Sequence, residues 1–201
     1  MTTENNSMPT IANLVWPESK STNALRFVVL AFAGSLLIAV SSKVQIPFYP
    51  VPMTMQTFVI LGLSMALGWR LAGATLALYL LQGMLGLPVF AGSPEKGIGL
   101  VYMMGGTGGY LLGFLAAAVT CGWLGEKGWD RNVFKTAAAM FIGNALIYIP
   151  GILWLGLLFG WDKPIIEWGL TPFILGDITK IALATAVLPL AWKFLNKKHD
   201  A

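Results

Sequence analysis

The chain has 201 residues, of which 56% are hydrophobic and only 11% charged, with a formal net charge of +4. Soluble domains carry roughly 25% charged residues, so the composition excludes a soluble protein and points to an all-α integral membrane protein. A single cysteine, Cys121, and a single histidine, His199, exclude an intrachain disulfide and C-x-x-C sites, and they leave little room for metal or histidine proton-relay chemistry.

Residues 1–22 are polar, contain acids and prolines and lack an apolar core, so they are not a cleavable signal peptide. They are expected to form a flexible cytoplasmic tail. A membrane-crossing helix needs about 20 mostly apolar residues. Charge-free stretches occupy 27–42, 44–69, 71–94, 97–125 and 136–161, and a further apolar segment over 171–192 carries Asp177 and Lys180. Three prolines in Ile46-Pro-Phe-Tyr-Pro-Val-Pro52 exclude regular helix, because each removes a donor and fixes φ. Helices are therefore expected at 25–43, 54–69, 71–87, 107–126, 134–160 and 172–195. They make a compact bundle of six spans over 23–196, followed by a short cytoplasmic tail at 197–201.

Charge sets the orientation. With both termini inside, the cytoplasmic side receives nine cations: Lys20, Arg26, Arg70, Lys127, Arg131, Lys135, Lys193, Lys197 and Lys198. The outer side receives three, Lys43, Lys96 and Lys163, as the positive-inside rule requires. This spread over connecting segments does not suggest a nucleic-acid surface. The outer connections are then 44–53, 88–106 and 161–171, which hold most of the prolines and glycine-rich turns.

Each polar motif has a functional and a structural reading. Asp177 and Lys180 lie three residues apart on one helical face, inside an apolar segment. Buried charges in a membrane normally face a polar interior and serve function, although an interhelical ion pair would use the same residues. The proline loop, with Tyr49 and Val51, can cap a pocket or simply turn at the membrane surface. Gln56 can point an amide at a ligand or bond a neighbouring helix. Phe90 and Gly92 in the second outer loop, and Gly105-Gly-Thr107-Gly108-Gly109-Tyr110, allow close backbone approach to a ligand or merely a flexible helix entry. No Gly-Lys-Ser/Thr follows, so this is not a nucleotide loop. Asn144 and Tyr148 share a face of the fifth predicted helix, with Trp154 further along. Ala31, Ser35 and Ala39 form a small-residue strip on the first, suited to close approach by another helix.

Four segments in order carry a resemblance. Pro50-Val-Pro-Met-Thr-Met-Gln56, Tyr79-Leu-Leu-Gln-Gly-Met-Leu-Gly-Leu-Pro-Val-Phe-Ala-Gly92, Thr107-Gly-Gly-Tyr-Leu-Leu-Gly-Phe114 and Pro172-Phe-x-x-Gly-Asp-x-x-Lys180 together resemble BioY. BioY is the biotin-binding S component of energy-coupling factor transporters, and the likeness runs from about residue 25 to 195. Gly106 stands where the family usually has proline, which softens that loop.

The resemblance implies a six-helix bundle in a bacterial inner membrane that captures biotin from outside, with biotin as cargo and no cofactor. It also implies a transmembrane coupling protein and two cytoplasmic ATPases as partners, met through Ala31, Ser35 and Ala39. Action alone or as a homo-oligomer stays open. On this reading Asp177 accepts a ureido N–H of biotin and Lys180 donates to a carbonyl or carboxylate oxygen. Asn144 and Gln56 supply further polar contacts, Phe90, Tyr110, Tyr148 and Trp154 pack the rings, and backbone N–H groups of Thr107 to Tyr110 hold the tail carboxylate. An S component for another vitamin, an intramembrane enzyme and a structural subunit are the rival readings.

Overall fold

The computed structural model describes residues 8–19 and 21–199, with side chains described as far as residue 195. Glycine and proline decide where the apolar stretches break into helices. In chain order these are α1 (Ile11–Val15), α2 (Asn23–Lys43), a hairpin of β1 (Gln45–Ile46) and β2 (Met53–Thr54), α3 (Gln56–Leu67), α4 (Trp69–Met84), α5 (Gly99–Met103), α6 (Gly108–Glu126), α7 (Val133–Phe159), α8 (Ile165–Gly169) and α9 (Ile174–His199). Short 3-10 turns occupy Trp129–Arg131 and Thr171–Phe173.

Four helical stretches, Asn23–Lys43, Gly108–Glu126, Val133–Phe159 and Ile165–Leu195, are long and apolar enough to cross a membrane. The chain is a membrane protein. α3 and α4 are shorter, at 12 and 16 residues. α9 continues to His199, so residues 197–199 of the expected tail are helical, while 200 and 201 lie outside the described residues.

The proline segment is non-helical, as its residues require. It turns between two short strands paired Gln45↔Thr54 and Ile46↔Met53. Pro47, Pro50 and Pro52 all fall between the strands, where no ladder hydrogen bond needs their missing N–H. The α3–α4 break is made by Gly68, whose φ of +82° is a conformation that L side chains rarely adopt. The backbone N–H of Trp69 then donates to Glu126 Oε1 at 3.2 Å, which satisfies one orphan donor at the start of α4.

α6 is the axis of the bundle. Inside the protein, 67% of its membrane-length window is buried, against 33% for α2 and α7 and 28% for the last stretch. Small residues make this possible: at Gly113 an added Cβ would lie 2.7 Å from Ile147 Cα, so the α7 backbone runs directly against α6. Ala117, Ala118 and Cys121 continue the buried face against Ile60, Met65 and Ala139 in one core cluster.

The small-residue strip does not form an outer surface. Ala31 and Ser35 are 6% and 0% exposed, and Ala39 is half-buried. Gln82 Nε2 on α4 donates to Ser35 Oγ at 3.1 Å, so this strip is where α2 approaches α4. The exposed side of α2 instead carries Val28, Phe32, Leu36 and Val40, spaced four residues apart.

Within the expected flexible tail, residues 1–7 lie outside the described residues, but residues 8–19 dock on the bundle. Arg26 is 4% exposed, and a buried guanidinium needs acceptors. Trp16 O at 2.6 Å, Asn13 Oδ1 at 2.8 Å and Glu18 Oε1 at 3.4 Å supply them. Met8 N–H also donates to Glu126 O at 2.8 Å.

Beyond α6 lies Asp130, fully buried in its 3-10 turn. Trp192 Nε1 donates to its Oδ2 at 2.5 Å, while Oδ1 has no partner among the described residues. Burial pushes this carboxyl above its ordinary range, partly offset by the indole hydrogen bond. Arg131 stacks its guanidinium 4.0 Å from the centre of the Trp192 ring.

Candidate ligand site

At the end of the bundle that carries the hairpin, a pocket opens between α3, α4, α6, α7 and α9. Its polar wall is built from α9 and α3. Asp177 and Lys180 occupy adjacent turns of α9 and are only 6% and 9% exposed. Lys180 Nζ donates to Asp177 Oδ1 at 3.2 Å and to Thr57 Oγ1 at 2.9 Å. An ammonium has three N–H groups, so one is left for a ligand. Asp177 Oδ2 accepts the hydroxyl hydrogen of Tyr148, which ties α9 to α7.

A second polar group comes from α3. Gln56 is 3% exposed, and its Nε2 donates to Tyr79 Oη at 2.7 Å. Tyr79 in turn donates to the Val89 carbonyl at 3.2 Å. A carbonyl can only accept, so this chain fixes the amide with its nitrogen towards Tyr79. The opposite walls are aromatic. Phe90 and Tyr102 stack with ring centres 4.8 Å apart, and Tyr79 meets Phe90 edge-on at 5.6 Å. Tyr110 and Phe173 flank Tyr148 at 6.1 and 6.2 Å. The arrangement offers an acid, a base and an amide at one side of a flat, apolar slot. It can bind a compact ligand that carries both donors and acceptors.

Eight residues singled out from the sequence line this cavity: Val51, Gln56, Phe90, Thr107, Tyr110, Tyr148, Asp177 and Lys180. Six do not. Tyr49 is 78% exposed at the tip of the hairpin. Gly92 lies in the loop just past Ala91, outside the lining. Asn144 is buried behind the charged pair, beside Lys180 and Thr57 in a separate small void, and its Oδ1 has no partner among the described residues. Trp154 directs its indole N–H to Gly105 O at 2.8 Å, pinning the loop that contains Gly106. Gly108 and Gly109 lie outside the lining, and a Cβ there would meet Trp154 together with the Met103 carbonyl at Gly108 and the Pro150 carbonyl at Gly109.

Several lining residues escaped the sequence reading, chiefly Thr57, Tyr79, Tyr102 and Phe173. Tyr79 left a trace: a tyrosine in mid-span needs a partner for its hydroxyl. Thr57 left none, because a threonine in a membrane helix ordinarily bonds its own backbone.

Comparisons with known proteins agree with this architecture. The model of the BioY family matches residues 12–197. A probable biotin transporter BioY of Pyrococcus horikoshii is 34% identical over 75% of this chain and 86% of its own length. The biotin transporter BioY of Thermotoga maritima is 33% identical over 81% and 94%, and biotin transporter BioY2 of Lactococcus lactis is 34% identical over 79% and 85%. A crystal structure of the S component for biotin from an ECF-type ABC transporter shares the fold, with a TM-score of 0.72 and 21% identity over 88% of this chain and 95% of that one. The chain belongs to the BioY family.

Proposed function

We propose that the chain takes up biotin, binding it in the cavity described above and delivering it across a bacterial inner membrane as the S component of an energy-coupling factor transporter. It is a transport protein and not an enzyme. Residues 23–196 form the membrane domain with six crossings, α3 and α4 included, and both termini lie in the cytoplasm. The nine cations at one end against three at the other support this orientation. The cavity then opens outward. ATP hydrolysis belongs to other subunits, because the chain contains no phosphate-binding loop, so a coupling protein and two ATPases complete the transporter.

The observation that carries this reading is the buried Asp177–Lys180 pair at one side of an aromatic slot. Biotin presents a flat ureido ring with two N–H donors and one carbonyl acceptor. Asp177 accepts one ureido N–H, and the free N–H of Lys180 donates to the ureido oxygen, both as charge-assisted bonds in a site shielded from water. Gln56 and Tyr148 bracket the ring, while Phe90, Tyr79, Tyr102 and Tyr110 pack its faces. Val51 and Thr107, at the loops, border the carboxylate tail.

Calorimetric titration of the purified protein with biotin and a panel of other vitamins tests the reading. Biotin is expected to bind alone among them. A folded protein that carries no biotin and binds none would sink it, and binding of a different vitamin would reassign the cargo.

A further inference from the structure

Lys43, at the end of α2, is one of the three cations placed on the outer side, and nothing in the ligand site uses it. Its ammonium reaches the loop between α4 and α5. There Nζ donates to Phe90 O at 2.9 Å, to Ser93 O at 3.0 Å and to Ser93 Oγ at 3.2 Å. Three N–H donors meet three acceptors, so the head group is fully engaged. The polarity is consistent, because Ser93 Oγ gives its own hydrogen to Phe90 O at 2.7 Å and keeps lone pairs for Lys43. The Ser42 hydroxyl shares its one hydrogen between Ala39 O at 2.7 Å and Val89 O at 2.9 Å.

The segment held in this way forms part of the cavity wall. Phe90 and Ala91 are 1% and 4% exposed and both line the cavity. From inside, Tyr79 and Tyr102 hold the same segment through Val89 O at 3.2 Å and Ala91 O at 2.8 Å. Phe90 fits only because α4 has Gly83 facing its ring. This wall is therefore gripped from the cavity by two tyrosines and from outside the cavity by one lysine. The inner bonds are neutral and made by buried tyrosines, whereas the Lys43 bonds are charge-assisted and made by a side chain that is itself solvent-exposed.

We propose that Lys43 is a positioning residue for ligand retention: it latches the 87–94 segment so that Phe90 stays in the wall, and release of the latch governs the rate at which the ligand leaves. This rests on the reading of the cavity as the biotin site. Lys43→Met keeps the length of the side chain and removes all three donors. Loss of charged hydrogen bonds should raise the biotin dissociation rate roughly tenfold, with a smaller change in the association rate. Lys43→Arg restores donors and is expected to restore slow dissociation.

Amide hydrogen exchange on the ligand-free protein supplies a readout independent of biotin. The Ser93 N–H, which donates to Phe90 O at 3.2 Å, should exchange faster in Lys43→Met while α6 amides keep their protection. Unchanged exchange at Ser93 would overturn the latch. So would faster exchange with an unchanged dissociation rate, or an equal loss of protection along α6. If the wild-type protein binds no biotin, the cargo assignment fails. Ser93 exchange then still decides whether Lys43 holds the segment.

Discussion

Among the described residues two aspartates are buried, and they are buried differently. Asp177 is 6% exposed, borders a cavity and has a cation, Lys180, within hydrogen-bonding distance. Asp130 is 0% exposed, lies at the opposite end of the bundle and accepts the neutral Trp192 indole on one oxygen, with the Arg131 charge nearby but no ion pair to it among the described residues. A buried ion pair adds little to stability, since desolvation consumes most of its attraction. The first arrangement keeps charges ready for an incoming partner. The second joins the α6–α7 connection to α9 and offers nothing to a ligand. Depth of burial alone therefore does not mark a site; the cavity and the complementary charge do.

That contrast can be broken most sharply at Lys180. Lys180→Ala leaves Asp177 buried with only Tyr148, and removal of one partner of a buried pair costs about 3–5 kcal/mol. Biotin affinity should fall at least about a hundredfold by calorimetry, together with a lower thermal midpoint. If affinity is unchanged, the pair is a structural lock like the one at Asp130.

Trp192→Phe gives the opposite result. It removes the indole donor from the buried Asp130 carboxylate, which costs about 1–3 kcal/mol of stability. The thermal midpoint should fall while biotin affinity stays within about twofold. A selective loss of binding would mean that the far end of the bundle shapes the site.

The smallest effect is a pH dependence. Burial raises the Asp130 carboxyl above its ordinary value, so the folded state holds this proton more tightly than the unfolded chain does. Asp130 therefore withdraws stability as pH rises from the ordinary carboxylate range through its elevated native value. Below that window the penalty is absent. Asp130→Asn can still accept from Trp192 and should flatten this part of the stability–pH curve. An identical slope in the variant would remove Asp130 as its source.

Much of the architecture was legible in the residues themselves. Glycine and proline positions marked the helix breaks, and the uneven spread of lysine and arginine suggested an orientation. The acid and base of the site stood out because charge in an apolar segment is costly wherever it points. Which faces meet across helices was not legible. Ala31 and Ser35 make a flat strip for any neighbouring helix, and only the packing shows that α4 takes it. The same ambiguity covers Gly108 and Gly109, since a glycine that admits a ligand and one that admits an indole are identical in sequence. Thr57 became visible only when α9 brought Lys180 against α3.

The break at Gly68 has a consequence for the surrounding bilayer. A 16-residue α4 rises about 24 Å at 1.5 Å per residue, while a hydrocarbon core is about 30 Å thick. α4 also presents Leu81 and Met84 outward. On the six-crossing reading proposed above, the membrane beside α4 would thin to follow the protein, at a cost of fractions of a kcal/mol per Å. One flank of the molecule would then indent its own solvent, and acyl-chain length would set how comfortably the bundle sits and how readily it tilts.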